Sequence, residues 1–204
     1  MTRARLRPDE RIAEIVAASR TLLSEVGDER FAPAEVARRC GVSEATVYRY
    51  FPTKRELLVR VAETWFDEIL VALEPGVTRH EGTYERLHFV VRYAGEVVRR
   101  EPTLTRFILN VLRPDPAFRS TTIHALNRRF TGVVSRVLSD AVACGDFRDD
   151  VPVELLRDMI FGGIEHQAWA YLRGEGEFSL ERTTDGITTV IYRGMATERA
   201  PAPN

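Results

Sequence analysis

Apolar residues recur at spacings of three and four along almost the whole of this 204-residue chain, and no stretch keeps the strict alternation of a half-buried strand. That period specifies an all-α fold, because only helices then turn their apolar positions toward a common core. Proline and glycine punctuate the pattern. The spacing predicts a first helix over 8–26, with Asp9 and Glu10 in its first turn, an inward stripe from Ile12 to Val26, and Gly27 as its stop. Short helices follow over 33–40 and 44–50, then a long one over 54–73 that Pro75-Gly76 closes. Five more are expected over 83–100, 102–112, 116–144 (with a break left open), 152–173 and 180–197. Pro102, Pro116 and Pro152 lie near helix starts, where a missing N–H costs little. The expected division is an N-terminal three-helix head over 1–54, a C-terminal helical body over 55–199 and a disordered tail over 200–204.

Composition removes several classes of protein. No apolar run approaches the ~18 residues of a membrane span. The arginine-rich first eight residues lack the apolar stretch of a signal peptide. A cytoplasmic protein with no membrane partner is expected. Cys40 and Cys144 have no CxxC partner and read as small core residues, not as a disulfide or zinc site. The four histidines lack metal-ligand spacing, so no metal and no cofactor are expected. The net charge is −1, yet residues 1–60 carry 12 basic and 9 acidic side chains while the rest carry 17 and 21. A mildly basic head on an acidic body suits a protein that presents one end to phosphate, although so small an imbalance is also compatible with no role.

The informative stretch is APAEVARRCGVSEATVYRYFPTKREL, residues 32–57. Val36, Ala37 and Cys40 share one face of a short helix, Gly41 can take the left-handed conformation that ends it, Val42 plugs the turn, and Ser43 caps the next helix. Two helices joined by a tight glycine turn match a helix-turn-helix, whose second helix enters the major groove of DNA. Val47 and Phe51 face the core, leaving Glu44, Ala45, Thr46, Tyr48, Arg49 and Tyr50 outward or sideways. Such side chains suit hydrogen bonding to phosphates and base edges; an ordinary surface helix with half-buried tyrosines is the alternative. Thr53 and Glu56 form a capping box that puts Lys54, the only lysine of the chain, in the first turn of a helix. A cation there is disfavoured by the helix dipole unless an anion is expected at the same place. Arg3, Arg5 and Arg7 precede the first helix as a basic arm, which either enters a minor groove or adds only nonspecific attraction.

With these residues in view, the run EVARRCGVSEATVYRYFPTKRELL resembles the DNA-binding domain of TetR-family transcriptional regulators, over about residues 10–60. The resemblance implies a homodimer that binds a palindromic operator in double-stranded DNA and is released by a small hydrophobic ligand. It implies that Thr46, Tyr48, Tyr50 and Lys54 contact phosphates or groove edges, and that Glu44, Ala45 and Arg49 set operator choice. Ala32-Pro33 departs from the hydroxyl residues frequent at this point in the family, and Ala45 replaces a frequent glycine.

The body carries no GxSxG, HExxH or phosphate-binding glycine loop, so an enzyme is not expected. Its aromatic residues lie on several helices. They suggest an apolar cavity lined by Phe89, Tyr93, Phe107, Phe130, Phe161 and Trp169, with Asn110 and His166 as polar groups; solid core is the alternative. Gly162-Gly163 inside a helix costs ~1 kcal/mol per glycine, which points to close helix approach or a bend. The helices over 152–173 and 180–197 are the expected dimerisation elements. Two other functions stay open from the residues: a small-molecule carrier without DNA binding, and a helical enzyme using Glu165 and His166.

Overall fold

The computed structural model describes residues 7–200, so Arg3, Arg5 and the tail residues 201–204 lie outside the described residues. Among the described residues the chain forms nine α-helices and no strand, with one isolated bridge between Phe147 and Ala196. The first helix, α1 (Pro8–Arg30), is broken at Gly27 as expected. That residue (φ 76°, ψ 170°) kinks it, and one more turn follows. Arg7 serves as its N-cap and is tied to the Glu10 carboxylate through both its backbone N–H and its guanidinium, so it is not a free arm.

Helices α2 (Pro33–Cys40) and α3 (Glu44–Tyr50) start and end at the expected residues. Gly41 adopts φ 63°, ψ 37° and its N–H returns to the Ala37 and Arg38 carbonyls, ending α2 as a left-handed cap. The N-cap of α2 is Ala32, which offers no side-chain acceptor.

The long helix α4 (Lys54–Thr78) overrides the expected stop at Pro75-Gly76 and runs on through it. Leu73 and Val77 are both buried one turn apart, so packing carries the helix past the proline. Gly76 is required by proximity: a β-carbon there would lie 2.1 Å from Phe89 Cζ.

Helices α5 (Thr83–Arg100) and α6 (Pro102–Phe107) follow, and α6 continues as a π turn (Ile108–Leu112) in which the Arg113 N–H reaches the Ile108 carbonyl at 2.9 Å. The segment expected over 116–144 is broken at Thr121 into a 3-10 turn (Pro116–Ser120) and α7 (Thr122–Ala143). Helices α8 (Val153–Leu172) and α9 (Leu180–Met195) complete the body. A main-chain clip, Arg148 N–H to Met195 O and Thr197 N–H to Asp146 O, fastens the α7–α8 loop to the end of α9.

One apolar core runs from head to body, from Ile15, Val36 and Val47 through Leu58 to Leu138 and Ile160, all essentially inaccessible to solvent. Each such side chain contributes roughly 1.5–3 kcal/mol of burial relative to exposure. In the body α4 packs on α7 and α5 on α9, with α8 beside α7. Gly163 receives Ile187 of α9, whose Cδ1 would be 3.1 Å from an added β-carbon, whereas Gly162 faces open space. Only half of the glycine pair therefore serves helix approach.

Candidate nucleic-acid interface and ligand cavity

The head presents α3 outward. Val47 and Phe51 are buried and Tyr50 is half-buried against the core, so α3 is anchored by one face. Glu44, Ala45, Tyr48 and Arg49 are exposed on the other. The Ser43 hydroxyl accepts the Thr46 N–H at 3.2 Å, and its oxygen lies 2.9 Å from the Thr46 hydroxyl. This fixes the entry of the helix and half-buries Thr46. The Arg49 guanidinium sits 5.1 Å from the Tyr50 ring centroid.

Lys54 is held from within the molecule. Its ammonium donates to the Asp28 carbonyl at 2.6 Å and approaches the Glu29 carbonyl at 3.5 Å. These carbonyls belong to the short turn after the Gly27 kink, where main-chain oxygens at a helix end are free to accept. The position of Lys54 in the first turn of α4 therefore has a structural cause of its own, beside any phosphate contact. Thr53 caps α4 by accepting the Glu56 N–H at 3.1 Å, while its own hydroxyl donates to the Glu56 carboxylate, so only half of the reciprocal box forms.

On the exposed side of α2, Glu35 binds both Arg38 and Arg39, and Arg39 also binds Glu25 of α1. Hydrogen bonds from Arg38 and then Arg39 hold the Glu35 carboxyl down at about 2. The Glu25 carboxyl is lowered by its hydrogen bond from Arg39.

The body holds a half-open cavity of about 770 Å³ between α4, α5, the π turn, α7 and α8. Its apolar wall is a chain of rings: Trp65 to Phe66 at 5.6 Å, Phe66 to Phe130 at 6.3 Å and Phe130 to Phe161 at 5.7 Å between centroids. Four arginines also line it. Arg113 pairs with Glu165 and Arg157 with Asp158, both at 2.8 Å. Arg119 and Arg128 are exposed at its rim and make no ion pair among the described residues. The hydroxyls of Thr105 and Ser135, two more lining residues, are buried without a hydrogen-bond partner.

Of the eight residues expected at a cavity, Phe130 and Phe161 line it and six do not. Phe89 covers Gly76 and stacks on His80 at 4.6 Å. Tyr93 donates its hydroxyl to the Ile69 carbonyl at 3.0 Å, and burial pushes its phenol up. Phe107 is core. Asn110 points to a second hollow beside Gly27 and Arg106, between head and body. His166 and Trp169 face solvent on α8, with the Arg173 guanidinium 5.5 Å from the Trp169 centroid. The wall is also more polar than expected. Trp65 and Phe66 were hidden in the generic apolar stripe of α4; the arginines had a legible signal, the crowding of Arg113, Arg119, Arg128 and Arg129 in an acidic body. Glu165 is spent on Arg113 while the adjacent His166 faces solvent, which removes the catalytic pairing considered for them.

On α8 and α9, Leu155 and Met159 are each 51% exposed, Trp169 45% and Val190 67%. Among the described residues this is where large apolar side chains are left uncovered most densely, beside the open Gly162 and Gly186.

A helix-turn-helix head joined by a long helix to a cavity-bearing helical body defines a DNA-binding transcriptional regulator. Residues 15–61 match the bacterial regulatory proteins of the tetR family and residues 75–194 the C-terminal region of YsiA-like proteins, so the chain belongs to the TetR family. It is similar to the fatty acid metabolism regulator protein of Bacillus subtilis, 18% identical over 89% of this chain and 94% of that protein. The solved structure of that regulator, FadR, in complex with stearoyl-CoA superposes with a TM-score of 0.76 at 18% identity, covering 89% of this chain and 98% of the other. The transcriptional repressor KstR of Mycolicibacterium smegmatis is 28% identical over 64% of each chain. A Saccharomonospora viridis protein solved in complex with choline has a TM-score of 0.80 at 16% identity, covering 93% of this chain and all of that one. No helix among the described residues is long and apolar enough to cross a membrane.

Proposed function

We propose that this regulator is a ligand-responsive repressor that binds a palindromic operator in the cytoplasm as a homodimer. Residues 1–54 act as the reading head and 55–199 as the ligand-binding and dimerisation body. The observation that carries the reading is the continuity of α4: its first turn abuts the head and its middle supplies Trp65 and Phe66 to the cavity wall. In the head, Ser43, Thr46, Tyr48, Tyr50 and Lys54 serve as phosphate and groove contacts, and Glu44, Ala45 and Arg49 as operator readers. The exposed apolar face of α8 and α9 pairs with its twofold mate, so that two heads address half-sites one helical turn apart.

The ligand is an amphiphile. The ring-lined interior accommodates an apolar chain, while Arg119 and Arg128 have no ion-pair partner at the rim and suit an anionic head. A long-chain acyl thioester of CoA has this chemistry, and the FadR complex supports choosing stearoyl-CoA as the first compound to test. Ligand that prefers a conformation with mismatched heads lowers operator affinity by its differential binding energy. Selection from a random duplex library, followed by titration of the selected operator with and without stearoyl-CoA, tests the reading. An enriched palindrome bound by a dimer supports it. Recovery of no palindrome at low salt favours a carrier that does not bind DNA.

A further inference from the structure

The segment 101–119 has two working faces. Thr105, Ile108, Leu109, Arg113 and Arg119 line the cavity. The other face carries ion pairs to the head, Glu101 to Arg20 at 2.7 Å and Arg106 to Asp28 at 3.7 Å, and one from Asp115 to Arg55, the residue next after the head at the start of α4. Arg55 lies in the first turn of α4, next to Lys54, and 60 residues separate it from Asp115. Asp115 is bracketed by the cavity-lining Arg113 and Arg119, and it also caps the 3-10 turn by accepting the Ala117 N–H at 2.8 Å. Its carboxylate therefore links the cavity rim to the first turn of α4.

We infer that the Arg55–Asp115 pair is a clasp through which the rim of the ligand cavity sets the orientation of the DNA-reading head. The inference rests on the proposed operator binding and places the contact at the first turn of α4, where head and body join. Two features give it a mechanical basis. An anion that draws Arg113 or Arg119 inward moves the Asp115 between them. The π turn just before the rim holds one extra residue per turn. Tightening it to α-helix would advance the rim residues beyond it by one position, about 1.5 Å and about 100° of rotation. A clasped head loses less orientational freedom on docking than a free one, so the clasp favours operator binding. Simple electrostatics gives the opposite sign, because Asp115 is an acidic group near a phosphate-binding end.

The test is operator affinity of the full-length parent, Asp115→Asn, Arg55→Gln and the double variant, without any ligand. Asparagine keeps the oxygen that caps Ala117 and removes the charge, and matching thermal melts establish that each variant is folded. Asp115→Asn is expected to weaken operator binding about two- to fivefold per head when Arg55 is present, and not at all in the Arg55→Gln background. A silent Asp115→Asn, or a change of equal size in both backgrounds, overturns the clasp; tighter binding in both marks a bulk charge effect. Failure of the parent to bind any DNA would overturn the operator reading and the clasp with it, and is distinguishable from either.

Discussion

Lys54 and Asp28 are joined across the head: the lysine ammonium donates to the aspartate main-chain carbonyl at 2.6 Å and lies 5.9 Å from the centroid of the Phe31 ring. One side chain thus ties the start of α4 to the end of α1, closing the head on itself. The free main-chain carbonyls of the turn after Gly27 explain the pairing, since they offer acceptors to a cation that the N-terminus of α4 does not. Lys54→Ala is therefore expected to cost about 1–2 kcal/mol of unfolding free energy, read from denaturant curves. A phosphate contact would also lower the slope of log affinity against log salt by about one. Loss of stability with an unchanged slope would confine Lys54 to a structural role.

Gly76 and Phe89 give a packing prediction. An alanine at 76 drives a β-carbon into the Phe89 ring, so Gly76→Ala should destabilise by about 1–3 kcal/mol. Adding Phe89→Leu, which shortens the opposing side chain, should recover part of that loss in thermal melts. No recovery would mean that the strain lies in the backbone.

The Glu35 carboxyl, at about 2 against an ordinary 4.5, links head stability to acid. Because its folded value is depressed, its contribution is fully present above pH 4.5 and is lost as pH falls from there toward 2. Glu35→Gln should abolish that part of the acid dependence, and side-chain NMR titration of Glu35 gives the value itself. A carboxyl titrating at 4.5 would refute the double clamp by Arg38 and Arg39.

The rim arginines should govern ligand binding without governing the fold. Arg119→Gln and Arg128→Gln are each expected to weaken stearoyl-CoA binding about tenfold and leave the melting temperature unchanged. Trp65 emission, isolated by Trp169→Phe, is a suitable reporter because Trp65 lines the cavity. Unaltered affinity in both variants would place the anionic group elsewhere.

The uncovered face of α8 and α9 bears on assembly. Trp169→Glu combined with Met159→Glu should shift the proposed dimer to monomer in sedimentation equilibrium and reduce operator affinity steeply, since the two heads would no longer bind as a unit. A persistent dimer would place the interface on another surface.

The sequence by itself determined the parts that depend on local chemistry. Helical period, Gly41, the Ser43 cap and the Thr53 cap set the head almost to the residue, because a cap or a left-handed turn is decided by neighbours three or four positions away. Tertiary structure decided what local chemistry cannot. Packing of Leu73 and Val77 carried α4 through Pro75-Gly76, against the local breaker signal. An aromatic stripe shows which helix face is buried but not whether a cavity or another helix covers it, so Phe107 became core, Phe89 and Tyr93 pack half-buried against it, and Trp65 and Phe66 became wall. Lys54 changed most: its place in the first turn of α4 was legible, but its carbonyl partners are 25 and 26 residues away, and only the folded head brings them together.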